Sequence, residues 1–590
     1  MEWYKLPLMR HSRRLVIGII LVVTVASLGN AGYHMLQLLL LEARGGFDGI
    51  AYIYLTMARG ILNGLRPYAD LYDSKPPGMY LVSIASLLLT RGTAGGMVMQ
   101  IVLFLLLPML LAVFGFWETG KNTDFFIRFF VTALGFLLGS LLFFYLEDRS
   151  GGYMAESFGA CIGCLYLFHV FLRRDTSAPS AIILNAILLL GTFGFKEPFV
   201  ISMTAAALLL ARDAKHFRFA FLYPLLLSLV LGAATLTALG WLPPYLSYVH
   251  RMVGGRIVHG RNEALWMRGL AAARLFGNMT KSYSAPLFGI LIGCLLLFVP
   301  SFRNKTHDRK KILRSAGAVA ASIAFMILTG VALVFHPDYP LLPFALPRMI
   351  AALGAITLLV FLFKAKVSSA TILTAVALFL VCIAVGAAEY EPSHFGFALP
   401  IFFALALLFL RYASHEPLSR FPIVIVASLV LVTSLFFHTS PGHFRFLMEH
   451  IQVARSLQPA VAERFDMMMD HCGFTNYFND DNRVELALSR RSPLGPLFSI
   501  GEHSWYLAPD DPLVTQTVRN IRDRAQVLII KSGEGWKMNN AVWGAKWGTV
   551  LTFFPELQPV FTTDVPPCAR SFLPFDTMKV YFRKTTETKK

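Results

Sequence analysis

Charged residues are scarce in this chain: Asp, Glu, Lys and Arg make up 15% of its 590 residues, whereas apolar residues make up 56%. The mean hydropathy is +0.58. A soluble domain needs a polar surface and could not bury so large an apolar fraction, so the composition excludes a wholly soluble protein. We expect the bilayer to act as the solvent for most of the chain.

Acidic residues are fewer still, 35 against 53 basic ones, which gives a formal net charge of +18. An excess of this size could indicate nucleic-acid binding, but the cations lie mainly in short connections between apolar runs. That placement is typical of membrane topology, in which the cytoplasmic loops carry Lys and Arg. The charge therefore predicts cytoplasmic connections and no nucleic-acid partner.

Cysteine is also rare, with six residues in the chain. Cys161 and Cys164 have the spacing of a redox pair, but they lie inside a predicted membrane helix, where a small buried thiol is the simpler interpretation. Cys472 and Cys568 fall in the polar C-terminal part. They could form a disulfide if that part is extracytoplasmic, and the sequence leaves both states open.

Long apolar runs make up most of the chain. A helix needs about 20 apolar residues to cross the hydrocarbon core, so these runs predict transmembrane spans. The first run, 15–41, follows three arginines and predicts a retained anchor with a cytoplasmic N-terminus rather than a signal peptide. No low-complexity tract or short-period repeat interrupts the pattern. Twelve further spans are predicted at 95–117, 127–146, 154–172, 180–195, 198–211, 219–241, 284–301, 315–335, 347–364, 369–388, 395–410 and 421–438.

Two shorter helices are predicted between the first two spans, over 49–64 and 76–90. Ile50, Ile53, Met57 and Ile61 recur at helical spacing, as an amphipathic helix at the membrane interface requires. If the second segment crossed the membrane, the later basic loops would alternate to the wrong side. Both segments are therefore predicted to be juxtamembrane helices on the outer face.

The predicted fold is an α-helical polytopic membrane protein of about 13 transmembrane helices, with a small α/β domain at the C-terminus. The transmembrane domain is assigned to 1–440 and the soluble periplasmic domain to 441–590. The string AQVLII in the second part is typical of a strand. The predicted location is a bacterial inner membrane.

The first outer loop contains two candidate functional residues. Asp48 directly follows the first span, where a carboxylate can serve as a base or as the N-cap of the next helix. Lys75 lies in YDSKPPGMY, where two prolines fix the backbone. A cation presented rigidly at headgroup depth suits a lipid phosphate, although a snorkelling lysine beside a proline turn would give the same pattern.

The remaining outer loops carry further candidates. Asp148 and Glu156 flank the predicted start of a span, where a carboxylate at membrane depth is costly and so needs a partner or a function. Lys196 and Glu197 interrupt an apolar run in GFKEPF. The loop 242–283 is rich in cations on the side that should lack them, which favours binding of an anionic headgroup over a merely solvated loop; these residues are His250, Arg251, Arg256, His259 and Arg261.

These motifs together resemble the GT-C superfamily of glycosyltransferases, and within it the bacterial relatives of protein O-mannosyltransferases and the lipid A aminoarabinose transferase. The string PYADLYDSKPPGMY is the most specific part of the resemblance, and AESFGACIGCLYLF and FKEPF also belong to it. The resemblance implies an inverting transfer of a sugar from a polyprenyl-phosphate donor to a lipid, glycan or protein acceptor.

The resemblance also implies roles for individual residues. Asp48 matches the family's first-loop base, and Glu156, with Asp148 as its rival, matches the second-loop acid. Lys75 and Lys196 match lysines that meet the donor phosphate, and Arg251, Arg256 or Arg261 would add a cation. His336 and His394 compete for one further position. No cofactor is required. Asp48 and a second acid are residue types that could bind a divalent metal, but no ligand spacing demands one.

Two other classes of protein fit parts of the sequence. A polytopic lipid or solute transporter would also have many spans, but neither inverted repeats nor charges at mid-membrane depth are evident. A glycan ligase with a pyrophosphate-linked donor suits the basic loop 242–283 but not the DSKPPG segment.

Overall fold

The structure is a computed structural model. It describes residues 49–73, 75–89, 155–173, 175–258, 458–481, 489–504, 507–530, 535–537, 547–573 and 579–584, with isolated positions elsewhere. Most of the predicted spans, the first one and those after 258 included, lie outside the described residues.

The first outer loop forms two helices, α1 (Gly49–Leu62) and α2 (Gly78–Leu89), where two juxtamembrane helices are predicted. The apolar side of α1 does not lie open to a membrane interface, which corrects the amphipathic interpretation. Ile53 and Met57 are 2% and 0% exposed. They are buried because α1 packs on α2 and on the rest of the first-loop segment, which removes this apolar surface from solvent.

Four helices follow in the next described segment. They are α3 (Ala155–Leu172), α4 (Pro179–Phe195), α5 (Phe199–Leu210) and α6, which runs over Ala214–Ala238 with one π-helical turn at Arg218–Leu222. Their positions coincide with the spans predicted at 154–172, 180–195, 198–211 and 219–241. Pro179 occupies the first turn of α4, where its missing N–H costs nothing, and Asp213 caps α6 by accepting the His216 N–H at 2.7 Å.

Of the described helices, α6 is the one long and apolar enough to cross a membrane by length and composition. It packs on α4, and both helices carry large apolar side chains on their outer surface. Leu229 and Val230 of α6 are 55% and 64% exposed, and Ile187 of α4 is 53% exposed. An apolar surface of this kind is unfavourable in water and suits hydrocarbon.

Helix α7 (Leu242–Val258) corrects the interpretation of 242–283 as a loop, because its first 17 residues are helical. The segment starts with two prolines directly after Leu242, a position at which proline favours a helix. Tyr245 and Tyr248 lie one turn apart and face the first outer loop, whereas His250 is exposed.

The described C-terminal part contains a four-stranded mixed sheet with helices beside it. The strand order is β1 (Tyr477–Asn479), β2 (Val527–Ile530), β6 (Lys579–Arg583) and β5 (Phe561–Thr562); β1 and β2 are parallel and the other pairs antiparallel. The predicted strand AQVLII contains β2. A second, two-stranded sheet joins β3 (Trp536–Lys537) to β4 (Trp547–Gly548).

Four helices accompany these strands: α8 (Gln458–His471), α9 (Ile500–His503), α10 (Pro512–Arg524) and α11 (Val550–Phe553). Asp511 caps α10 by accepting the Leu513 N–H at 2.8 Å, and Pro512 fills the first position. Val514, Val518 and Ile521 recur at helical spacing and are buried, so α10 places one apolar face in the core.

Cys472 and Cys568 form a disulfide, with their Cα atoms 5.4 Å apart. The bond joins the end of α8 to the 3-10 helix Pro567–Phe572. Cys161 and Cys164 are buried free thiols, as expected for small residues in an apolar helix.

Candidate active site

Lys75 lies in the connection between α1 and α2, and the two prolines after it shape the start of α2. Proline fixes φ at about −65° and therefore suits a helix start; the Leu81 N–H donates to the Pro77 carbonyl at 3.1 Å. Gly78 is required by close packing, because a Cβ there would lie 2.5 Å from the Gly194 carbonyl oxygen. The turn that carries Lys75 therefore rests on the end of α4.

Two tyrosine hydroxyl groups lie near the backbone of Lys75. The hydroxyl groups of Tyr68 and Tyr80 each lie 2.9 Å from the Lys75 carbonyl oxygen. The Tyr80 hydroxyl also lies 2.7 Å from Oδ2 of Asp73. A phenol has one hydrogen, so Tyr80 donates to the carboxylate, the stronger acceptor, while Tyr68 donates to the carbonyl.

Asp73 is the acid beside Lys75. Its side chain is 0% exposed, and its Oδ1 lies 3.9 Å from Nζ of Lys75, whose side chain is 19% exposed. At that separation the ammonium group and the carboxylate form an ion pair but not a hydrogen bond. A buried carboxylate is tolerated when charges and donors compensate it, and Lys75 and Tyr80 both do so. The ammonium group thus lies between a buried acid and the surface.

Tyr68 belongs to a tyrosine cluster formed by Tyr68, Tyr80, Tyr245 and Tyr248. Its ring stacks on Tyr248 with centroids 4.9 Å apart and meets Tyr245 edge-on at 5.5 Å. Tyr68 has φ of 64°, the one left-handed non-glycine residue among those described. This backbone conformation costs of order 1–3 kcal/mol and occurs mainly where function requires it. Here it directs the Tyr68 hydroxyl to the Lys75 carbonyl.

The tyrosine cluster connects the first outer loop to the turn between α4 and α5. The Tyr245 hydroxyl donates to Oε1 of Glu197 at 2.8 Å. Glu197 directly follows Lys196, which is the C-cap residue after α4 and a predicted phosphate ligand. The turns that carry Lys75 and Lys196 therefore both contact this aromatic cluster.

The tyrosines remain protonated donors. Burial, with the charge of Asp73 next in importance, raises the pKa of Tyr80 well above its usual value. Burial and the neighbouring phenols Tyr248 and Tyr245 raise the pKa of Tyr68 in the same direction. Neutral phenols can keep the Lys75 segment in place over the whole physiological pH range. Chemically, the arrangement presents a partly exposed cation beside a buried acid, and such a cation can bind an anion.

The predicted site residues fall into three groups. The structure describes Lys75 and Lys196 with their side chains. Glu156 lies in the first turn of α3, and Arg251 and Arg256 lie in α7, but only their backbones are described. Five predicted residues lie outside the described residues: Asp48, Asp148, Arg261, His336 and His394.

The sequence interpretation missed the residues around Lys75. Asp73 and Tyr80 stand in the same motif as Lys75, and an acid two residues before a lysine was a usable signal for the pair. Tyr245 and Tyr248 had a weaker signal, their spacing on one side of a helix. His503, described below, had no local signal, since it contacts a residue 431 positions away.

Metal-binding clusters are absent from the part of the chain that the structure describes: no three His, Cys, Asp or Glu side chains there are arranged to hold an ion. The predicted pair of Asp48 with a second acid lies outside that part, so a divalent metal stays a prediction.

Solved structures that are similar to this chain include an oligosaccharyltransferase and ArnT. No protein-family profile matches the chain, and no curated protein matches it. The apo oligosaccharyltransferase of Archaeoglobus fulgidus is 13% identical with a TM-score of 0.39, over 87% of this chain and 69% of that one. Apo ArnT from Cupriavidus metallidurans is 14% identical with a TM-score of 0.33, over 97% and 98% of the two chains. Similarities of this size carry no argument about function.

Proposed function

We propose that the protein is an inverting glycosyltransferase that moves a sugar from a polyprenyl-phosphate donor to a hydroxyl group of a lipid, glycan or protein acceptor. The observation that carries the proposal is the fixed position of Lys75. Its carbonyl accepts a hydrogen bond from the buried Tyr68, and its ammonium group lies beside Asp73, which accepts a hydrogen bond from the buried Tyr80. So much fixed structure around one lysine favours a ligand-binding role over a snorkelling side chain.

Lys75 binds the donor phosphate in this proposal. The Asp73 carboxylate at 3.9 Å orients the ammonium group electrostatically without accepting a hydrogen bond from it. A phosphate that enters from the exposed side would meet the positive charge of this ammonium group. Lys196, directly after α4, and one of Arg251, Arg256 and Arg261 would supply further positive charge.

Asp48 is the general base. The described part of α1 begins at Gly49, so Asp48 immediately precedes a helix in sequence. In the reaction the acceptor oxygen bonds to the anomeric carbon, its proton passes to Asp48, and the bond from that carbon to the phosphate oxygen breaks. Proton transfer to such a base contributes about 10²–10⁴-fold to the rate. Glu156 or Asp148 acts as the second acid.

The leaving group is a phosphate that is stable as an anion, so no general acid is required. Negative charge grows on the phosphate oxygen as the bond breaks, and a cation placed there stabilises the transition state. Removal of one such group from other enzymes lowers kcat by about 10²–10³-fold. The same range is expected for loss of the Lys75 charge.

The surroundings of the site support a membrane location. The exposed apolar surface of α4 and α6 suits lipid, which would let a polyprenyl tail enter from the bilayer. The disulfide between Cys472 and Cys568 is typical of an oxidising compartment such as the periplasm. Together they favour catalysis at the outer face of a bacterial inner membrane, with the C-terminal part outside.

The experiment is transfer of radiolabelled sugar from a panel of polyprenyl-phosphate sugars in membranes. Wild type, Asp48→Asn, Lys75→Gln and Lys75→Arg are compared at equal expression, with Lys215→Ala as control, since Lys215 is exposed at the start of α6. We expect transfer by wild type and Lys215→Ala, partial activity in Lys75→Arg, and at least about a 10²-fold loss in the other two. Full activity of Lys75→Gln, or no transfer by wild type from any donor, contradicts the proposal.

A further inference from the structure

The C-terminal part docks on the first outer loop next to Lys75. The Tyr72 N–H donates to the Pro496 carbonyl at 2.7 Å, and the Tyr72 carbonyl lies 3.0 Å from Nε2 of His503. Both backbone polar groups of Tyr72 are therefore held by one segment of the C-terminal part. Gly495 permits this approach, because a Cβ there would overlap the Asp70 carbonyl oxygen.

His503 is built into this contact. It is 0% exposed, and its ring packs against Phe498 and Tyr72 with centroids 4.8 and 6.1 Å away. Its Nδ1 lies 2.6 Å from the Ser499 carbonyl. Carbonyl oxygens only accept and a neutral imidazole carries one hydrogen, so the contact with Tyr72 is a hydrogen bond in the tautomer that has this hydrogen on Nε2. In that tautomer the contact with Ser499 is not a hydrogen bond.

Another buried residue fixes the helix that carries His503. Asp480, at the end of β1, accepts the Ile500 N–H at 3.0 Å and the Val550 N–H at 3.2 Å. Asp480 thereby ties α9 to α11 and to the sheet. The imidazole is consequently held by a rigid frame rather than by a flexible loop.

The first-loop residue that His503 contacts, Tyr72, is next in sequence to the proposed site. Tyr72 precedes Asp73, whose carboxylate pairs with Lys75. Tyr72 and Lys75 are three residues apart, and the Lys75 carbonyl accepts a hydrogen bond from Tyr68. A shift of the Tyr72 peptide would therefore move the Asp73 carboxylate and the ammonium group that it orients.

We propose that His503 is a positioning residue for Lys75: by donating from Nε2 to the Tyr72 carbonyl, it fixes the segment that presents the lysine to the donor phosphate. The inference rests on the proposed function for the identity of that ligand. It gives the C-terminal part a role in donor binding, whereas its sequence position alone suggests contact with an acceptor or a cover over the site.

Two substitutions of similar size separate the hydrogen bond from simple packing. In His503→Gln the side-chain amide nitrogen can occupy the place of Nε2 and donate to the Tyr72 carbonyl. In His503→Asn the amide nitrogen corresponds to Nδ1, reaches the Ser499 carbonyl, and leaves Tyr72 without its donor. If His503 acted only by filling space, Gln and Asn at this position would have similar effects, although their amide nitrogens reach different carbonyl groups.

The first measurement is hydrogen exchange in the purified full chain, followed at the Tyr72 amide with the amides of β2 as a folding control. We expect His503→Asn to speed exchange at Tyr72 about three- to tenfold with β2 unchanged, since one hydrogen bond is lost. His503→Gln should match wild type. Equal exchange in the two variants overturns the proposal, as does a change in β2 as large as that at Tyr72.

The second measurement is the affinity of the same proteins for polyprenyl phosphate. We expect a loss of about three- to tenfold in His503→Asn and none in His503→Gln. If wild type does not bind polyprenyl phosphate, the proposed function fails, while hydrogen exchange still decides whether His503 holds the loop. If exchange changes as expected but affinity is the same in both variants, His503 holds the loop without positioning Lys75, and the proposal is wrong.

Discussion

The Tyr80 hydroxyl donates to the buried carboxylate of Asp73 across 2.7 Å, and so fixes the acid beside which Lys75 stands. Tyr80→Phe removes this donor and keeps the ring. The Asp73 carboxylate then remains buried but has lost one hydrogen-bond donor. We expect this loss to lower the free energy of unfolding by about 1–3 kcal/mol. We also expect weaker binding of polyprenyl phosphate, because Lys75 is drawn more strongly to the less compensated acid.

Thermal unfolding and ligand titration of Tyr80→Phe check this prediction. Tyr223→Phe is the matched control, since Tyr223 is 42% exposed and its loss of a hydroxyl should change neither quantity. Unfolding and binding equal to wild type in Tyr80→Phe would mean that Asp73 does not depend on this phenol.

Gly495→Ala should separate the C-terminal part from the first outer loop. The new methyl group overlaps the Asp70 carbonyl oxygen, which is backbone and cannot rotate away. Overpacking of this kind costs about 1–3 kcal/mol. We expect a lower unfolding midpoint and faster exchange at the Tyr72 amide. In Gly194→Ala, where a Cβ meets no atom within 4 Å, neither change should appear.

Asp480 should make stability depend on pH. Burial raises its pKa to about 7 from an ordinary 3.8, despite the backbone N–H groups that bond it. Between those values the folded state keeps a proton that the unfolded state releases, so stability falls as the pH rises from about 4 to about 7. The full effect is of order 4 kcal/mol.

Unfolding midpoints measured across this pH range test the effect, with Asp480→Asn as the comparison. Burial lowers the pKa of His503, which makes stability rise with pH below about 6.5 and so opposes the effect of Asp480. The asparagine variant retains His503, so the difference between the two curves isolates Asp480. Parallel curves would show that Asp480 is ionised throughout.

The disulfide should stabilise the C-terminal part strongly. Cys472 and Cys568 are 96 residues apart in sequence, and closing so long a loop reduces the entropy of the unfolded chain. The double variant Cys472→Ser/Cys568→Ser should lose about 2–5 kcal/mol. Cys161→Ala, which removes an unbridged thiol and keeps the disulfide, should lose stability on reduction as wild type does. A double variant as stable as oxidised wild type contradicts this prediction.

Sequence periodicity predicted the local structure well where one chain segment decides it. The helices α3 to α6 coincide with apolar runs of the right length, and α1 and α2 with the two short helical segments. Sequence periodicity did not predict that protein buries the apolar side of α1, because an amphipathic pattern does not say whether lipid or protein covers that side. It also failed for α7, where a high density of cations was taken for a loop.

The site itself was predicted in part. Lys75 could be singled out because two prolines and its charge mark it locally. Tyr245 and His503 could not, because their importance comes from contacts with Tyr68 and Tyr72 across most of the chain. The left-handed backbone of Tyr68 is equally invisible in the sequence, since tyrosine has no preference for it.

Binding of polyprenyl phosphate to wild type and Lys75→Gln, with the uncharged polyprenol as the reference ligand, tests the central claim most directly. It requires no knowledge of the sugar or the acceptor. If Lys75 meets the donor phosphate, wild type should bind the phosphate at least about tenfold more tightly than the alcohol, and Lys75→Gln should lose most of that preference. A preference that is unchanged in Lys75→Gln, or absent from wild type, would contradict the account.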